Sequence, residues 1–125
     1  GSFLQWMDRT FQEQDSISLF SDEFRTPLYV KDAAKAIEAL VQKKGNHRLY
    51  HLGGPERVSR VDFGKRVAEI RGYDPKKIKE THIGDLDTGF NRPEDVSLDS
   101  SRIQSSHSVP MTPISDALKE IYSER

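Results

Sequence analysis

The sequence contains no cysteine. That removes disulfides, thiol nucleophiles and Cys-based zinc sites from consideration, and it fits a reducing compartment. An excess of one charge is also missing. With 19 basic residues against 20 acidic ones, nothing in the electrostatics calls for nucleic acid or an anionic membrane as partner. No apolar run approaches the ~20 residues of a membrane-spanning helix, and no signal peptide is visible. The four histidines come without an acidic partner set, so no metal site is expected. Asp85, Asp87 and Gly89 echo the start of a calcium loop, but Val96 stands where its closing carboxylate belongs. Internal repeats and low-complexity stretches are absent too. The default expectation is a cytoplasmic chain, one domain or a piece of one over residues 1–125, with Gly1-Ser2 resembling a tag-cleavage scar and the natural start upstream.

What is present alternates between short strands and helices. Phe3 to Gln14 predicts a helix with Leu4, Met7 and Phe11 on one stripe and Trp6 pointing away from it. Such a helix expects more partners than one face needs. Ser16 to Phe20 alternates as a strand around Ile17 and Leu19, and Ser21-Asp22-Glu23 reads as a turn. Pro27 pushes Thr26 toward extended backbone, so Leu28-Tyr29-Val30 should continue as a short strand. Asp32 then sits where an N-cap belongs, and small or apolar residues at 33, 36, 37, 40 and 41 mark a helix face ending at Gly45. Arg48 to Leu52 reads as a strand running into Gly53-Gly54-Pro55. Ser59 with Asp62 opens a helix to Arg71, closed by Gly72, with Phe63, Val67 and Ile70 inward. Residues 79–83 suggest another strand, 96–98 a short extended piece and 99–103 a capped helical turn. Thr112 as N-cap with Pro113 starts a last helix carrying Ile114, Leu118 and Ile121 on one face. The expected class is α/β, with roughly four helices and several short strands.

Three separated segments carry a family resemblance. Arg25, Tyr29, Val30 and Asp32 give Arg-x-x-x-Tyr-Val-x-Asp before an Ala-rich helix. Tyr50 to Ser59 gives Tyr-His-Leu-Gly-Gly-x-Glu-x-x-Ser, and Arg92-Pro93 is followed by Leu98-Asp99-Ser100-Ser101-Arg102-Ile103. In this order they resemble the late part of the extended short-chain dehydrogenase/reductases, which act on nucleotide sugars. The Thr-Pro-x-Tyr-Val form is closest to the dTDP-4-dehydrorhamnose reductase branch. The resemblance covers nearly the whole chain but only the last third or so of the family's usual length. It implies the C-terminal, substrate-binding portion of an extended Rossmann-type fold.

The family's chemistry needs parts that this sequence does not contain. Its glycine turn, G-x-x-G-x-x-G, cradles a dinucleotide pyrophosphate at a helix N-terminus. Here Gly53-Gly54 follows an extended stretch but is stopped by Pro55 and lacks a third glycine. The family's catalytic Tyr-x-x-x-Lys lies upstream of the Tyr-Val-x-Asp corner. Tyr73 and Lys77 have that spacing, yet they follow a helix-ending glycine and Pro75 interrupts them, so they cannot share a helical face. No catalytic residue is therefore assigned.

What the resemblance leaves is binding. Arginines matching Arg25 and Arg92 reach the substrate diphosphate in related nucleotide-sugar epimerases, and Tyr29 would line a sugar pocket. Each has a plainer reading. Arg25 could pair with Asp22 or Glu23, Arg92 could be a solvated loop charge beside Glu94 and Asp95, and Tyr29 could pack locally. Phe3 and Trp6 could stack on a base or serve as core and interface. By resemblance the intact parent would use NADPH or NADH to reduce a dTDP- or UDP-linked 4-keto-6-deoxy sugar. This chain, without cofactor-binding residues, is expected to bind no dinucleotide and to be catalytically silent. The alternative is a non-catalytic subunit of the same branch, like the methionine adenosyltransferase beta subunit; a stand-alone binding module is the third reading. The expected partners are a nucleotide-sugar substrate and a missing N-terminal dinucleotide-binding half. Self-association, or exchange of elements between copies, is expected to cover the outward aromatic area of Trp6.

Overall fold

A computed structural model describes residues 1–87 and 89–124. It is a mixed α/β structure of two compact units, each assembled from two stretches of chain. The first takes 1–24 and 58–95, the second 25–57 and 96–125.

The first unit is built on a parallel strand pair. Strand β1 (Ile17–Phe20) runs alongside β4 (Ile78–Thr81), with Ile17 opposite Ile78 and Phe20 opposite Thr81. A parallel pair needs a crossover, and helix α3 (Arg60–Arg71) supplies it. The sequence punctuates α3 at both ends. Ser59 Oγ accepts from the Asp62 backbone N–H at 3.1 Å, and Gly72 closes the helix in the left-handed region at φ 71°. Gly64 lets α3 approach β1 closely, because a Cβ there would lie 2.3 Å from Leu19 Cδ1. The buried positions of α3 are Val61, Gly64, Val67 and Ala68, whereas Phe63 and Ile70 are only half-buried.

Helix α1 (Phe3–Glu13) starts at a capping box between Ser2 and Gln5 and buries Met7 and Phe11. Tyr73 and Lys77 hold its far end. The Tyr73 ring stacks on Phe11 with centroids 5.0 Å apart, and its hydroxyl donates to Asp8 and accepts from Gln12. Lys77 Nζ donates to the carbonyls of Phe11 and Gln14 at 2.8 and 3.1 Å, covering acceptors that the helix end leaves open. The pair's catalytic spacing is thus absorbed by a docking role.

The chain passes between the units within strand β2 (Phe24–Arg25), just before β3 (Val58–Ser59) and again after Asp95. In the second unit, helix α2 (Val30–Gln42) packs Ala36 against Ile103 of α4 (Ser101–His107) and Val109, with Ala39, Leu40, Tyr50, Leu52 and Met111 around them. Helix α5 (Ile114–Ser123) buries Ile114, Ala117 and Leu118.

Several local expectations are corrected here. Leu28 to Val30 is not a strand: α2 begins at Val30, and Asp32 lies inside its first turn. The Asp32 carboxylate caps nothing on its own helix. It accepts from Thr112 N at 2.7 Å and Thr112 Oγ1 at 3.0 Å, so Thr112 is not the N-cap of α5 either. That cap comes from Glu56, whose Oε2 accepts from Ile114 N at 2.7 Å. Gly45 is no left-handed stop. It is needed for close approach, since a Cβ there would meet the Tyr50 hydroxyl. Residues 48–52 and 96–98 are irregular. Among the described residues five α-helices form, in keeping with the roughly four that the periodicity marked. On α2, Ile37 and Val41 face outward, 60% and 81% exposed, in line with Val30.

Candidate functional site

The first unit contains an aromatic cleft of about 330 Å³ whose lining includes Phe3, Trp6, Phe20, Glu23, Arg60 and Arg92. Helix α1 contributes one wall. Phe3 and Trp6 are one turn apart and stack with centroids 5.5 Å apart and planes 26° apart. Strand β1 ends on Phe20, whose ring lies 5.3 Å from the Arg92 guanidinium carbon, and Arg60 at the start of α3 stands 4.1 Å over the Phe3 ring.

Between the two arginines lies Glu23, which is fully buried. Arg92 grips it with both sides of its fork, Nε to Oε2 at 2.8 Å and Nη2 to Oε1 at 3.2 Å. Arg60 Nε donates to Oε1 at 3.1 Å, and Arg60 N donates to the Glu23 carbonyl at 3.1 Å. Burial alone would push this carboxyl up, but the bonds from Arg92 and Arg60 outweigh it and hold the group below its ordinary value of 4.5. The carboxylate in turn holds the Arg92 guanidinium above its usual range. Arg92, though exposed in a loop, is thus paired with Glu23. No local signal marks Glu23, which reads as a turn residue, because its partners stand 37 and 69 positions away.

The other two candidate residues belong to the second unit. Arg25 ends β2 and is half-buried. Tyr29, immediately before α2, is buried, and its hydroxyl finds no hydrogen-bond partner of proper geometry even though the Lys31 and Glu120 charges act on it. Burial pushes its phenol up. Lys31 itself is tied to Glu120 at 2.6 Å and Glu124 at 2.8 Å. A second, more polar cleft of about 420 Å³ lies in this unit, lined among others by Thr26, Arg57, Asp99, Ser101 and Gln104. Arg92 thus lines a cleft in one unit, while Arg25 and Tyr29 are part of the other.

Gly53 and Gly54 do not form a phosphate cradle. A Cβ on Gly53 would lie 2.4 Å from Thr26 Oγ1, and one on Gly54 would lie 1.7 Å from the Pro27 carbonyl oxygen. Their backbone N–H groups, which a glycine turn would offer to pyrophosphate, donate instead to Ser100 Oγ and the Thr26 carbonyl, so these residues do not fit a dinucleotide. Among the described residues no group of three or more His, Asp or Glu is arranged to hold a metal ion, and no helix is long and apolar enough to cross a membrane.

The model of the RmlD substrate binding domain matches residues 1–125. The chain belongs to that family. An RmlD-type substrate binding domain is thus what the Tyr-Val-x-Asp corner and the two later motifs mark. Among curated relatives, it is 29% identical over 102 residues to the Probable low-salt glycan biosynthesis reductase Agl14 of Haloferax volcanii, matching 82% of this chain and 34% of that protein. Among solved structures, its fold is similar to a dTDP-4-dehydrorhamnose reductase from Bacillus anthracis in complex with NADP. The TM-score is 0.84 at 18% identity, over 100% of this chain and 44% of that one. It is also similar to a UDP-glucuronic acid 4-epimerase from Bacillus cereus in complex with UDP-glucuronic acid and NAD. There the TM-score is 0.72 at 18% identity, over 94% of this chain and 37% of that one. The chain therefore spans about a third of the length of that curated relative and under half of those solved structures.

Proposed function

We propose that this chain is the substrate-binding portion of an NAD(P)-dependent nucleotide-sugar reductase and is catalytically silent without the rest of that protein. Membership of the RmlD substrate binding domain family over residues 1–125 carries the reading. The relatives' names supply the substrate class: a reductase of glycan biosynthesis, a dTDP-4-dehydrorhamnose reductase and a UDP-sugar epimerase. A dTDP-linked 4-keto-6-deoxy sugar is the substrate we assign. The dinucleotide belongs to a preceding half, which would also contribute the tyrosine and lysine that protonate the alkoxide.

In this chain the aromatic cleft is the place for the nucleotide, and Arg92 is the phosphate contact. A planar guanidinium recognises phosphate oxygens directionally, each charge-assisted bond contributing roughly 1.5–3 kcal/mol. Arg92 is held in one pose by Glu23, so little side-chain entropy is lost on binding. Arg25 and Tyr29 are assigned as substrate contacts contributed by the second unit.

The preceding half is also the partner we assign to the outward stripe of α2. Val30, Ile37 and Val41 are 72%, 60% and 81% exposed, an apolar line that the second unit leaves uncovered. The relatives' greater length supplies an occupant. On its own, the chain should bury this line against a second copy.

Calorimetric titration of dTDP and UDP into the chain tests the assignment. Arg92→Ala should weaken nucleoside diphosphate binding by roughly tenfold or more. An unchanged isotherm removes Arg92 from the diphosphate site. In the parent, a Tyr-x-x-x-Lys and a G-x-x-G-x-x-G ahead of this region support the reductase; their absence would favour the regulatory subunit.

A further inference from the structure

In the reading above the buried carboxylate in the cleft wall only steadies Arg92, and Arg60 has no role. We propose that Glu23 is a positioning residue that fixes Arg60 and Arg92 as a two-guanidinium clamp, and that the clamp reads the phosphate of a ligand whose ring lies in the aromatic cleft. The inference rests on the assignment of the cleft to a nucleotide and adds to it Arg60 and the hold of Glu23 on both arginines.

Three observations carry it. Glu23 is fully buried, with three side-chain hydrogen bonds from these two arginines, whose own side chains are 23% and 48% exposed. Burial of a carboxylate is costly and is retained only where its partners compensate for lost water. Here those partners are also lining residues of the cleft. Next, the bonds occupy only part of each guanidinium. Arg92 uses Nε and Nη2 and Arg60 uses Nε, so Nη1 of Arg92 and both terminal nitrogens of Arg60 make no hydrogen bond among the described residues. Two guanidinium groups against one carboxylate leave net positive charge beside these unused donors. Finally, the ring contacts orient the same groups. Arg60 lies over Phe3 and Arg92 over Phe20, so each fork is fixed by a carboxylate on its edge and an aromatic face beneath it.

The geometry separates two parts of a ligand. An aromatic ring would take the Phe3–Trp6 wall, independent of Glu23, whereas a phosphate would depend on how the clamp is held. Trp6 is the single tryptophan and lines the cleft, so its fluorescence reports occupancy. The test titrates dTDP and thymidine into the wild-type chain, Glu23→Gln and Arg60→Lys, following Trp6. Glutamine keeps the shape of Glu23 but cannot hold two cations. The expected result is a loss of dTDP affinity of roughly tenfold or more in Glu23→Gln, with thymidine affinity unchanged. Arg60→Lys keeps the charge but loses the planar fork, and it should also lose affinity for dTDP alone. If Glu23→Gln fails to fold, Arg60→Lys decides by the same comparison.

An equal loss for both ligands would mean that Glu23 is merely structural, and unchanged or tighter dTDP binding would mean that it competes with the phosphate. Either overturns the proposal while leaving the cleft assignment standing. A wild-type chain whose Trp6 answers to neither ligand removes the cleft assignment and this proposal together.

Discussion

Asp32 and Thr112, 80 positions apart, are joined by two hydrogen bonds from Thr112 to the one carboxylate, 2.7 Å from its backbone N–H and 3.0 Å from its hydroxyl. This contact clips the first turn of α2 to the approach of α5. Asp32 is buried, so removing its carboxylate leaves the Thr112 donors without their partner. Asp32→Ala should cost about 1–3 kcal/mol of stability, read from the denaturant midpoint. Thr112→Val removes only one of the two donors and should cost less.

Glu56 reaches across 58 positions to cap α5 at Ile114. Its negative charge also sits at the positive end of that helix. Glu56→Ala is expected to lower stability by about 1 kcal/mol, the usual size for a lost cap, with circular dichroism showing fraying of α5. An effect under a few tenths would mean that water replaces the carboxylate at no cost.

Gly54 and Gly64 should respond unequally to alanine. At Gly54 the new Cβ meets a backbone carbonyl at 1.7 Å, whereas at Gly64 it meets the end of the Leu19 side chain at 2.3 Å. A leucine tip can rotate and a backbone carbonyl cannot move without the chain. Gly64→Ala should fall near the ordinary cost of overpacking, about 1–3 kcal/mol, and Gly54→Ala above it. Thermal melts of the two variants give the order directly.

Glu23 makes stability depend on pH in a defined direction. Its folded-state carboxyl titrates below the unfolded value of 4.5, so the ion pairs stabilise fully above that value and are lost as pH falls through the folded one. Denaturant midpoints measured between pH 7 and pH 3 should fall in the wild type. In Glu23→Gln the drop should be shallower, because one linked proton has been removed. Equal slopes would mean that Glu23 is not ionised in the folded chain.

The α2 stripe gives the last expectation. Ile37→Glu and Val41→Glu place charge on positions already exposed, so they should leave the unfolding free energy within about 0.5 kcal/mol of wild type. Sedimentation should show the wild-type chain associating with rising concentration and the double variant remaining monomeric. Monomeric wild type at high concentration would refute self-association.

Much of the fold was readable where a local signal and the final environment agree. Ser59, Asp62 and Gly72 punctuate α3 as their chemistry dictates. The misreadings share one cause, which is that local patterns cannot see distant partners. Asp32 and Thr112 each have the residue type of an N-cap, and both were taken by each other. Ile37 and Val41 continue the apolar arc of α2, yet only Ala36, Ala39 and Leu40 meet the core. Arg48 to Leu52 has strand composition but remains irregular, since a strand forms only against a neighbour. In the candidate site Arg92 was legible from its motif. Glu23 and Arg60 were not, because a buried ion pair leaves no periodic trace.

The interleaving of the two units sets an order of assembly. Ser21 and Thr81 meet across 60 positions, so the β1–β4 pairing waits for a long stretch of chain that belongs mostly to the other unit. A ribosome must deliver residues well beyond α3 before the first unit can close, and the second must wait for α5. No single proteolytic nick can free one unit from the other's residues, and a stop codon anywhere before Asp95 leaves both units incomplete.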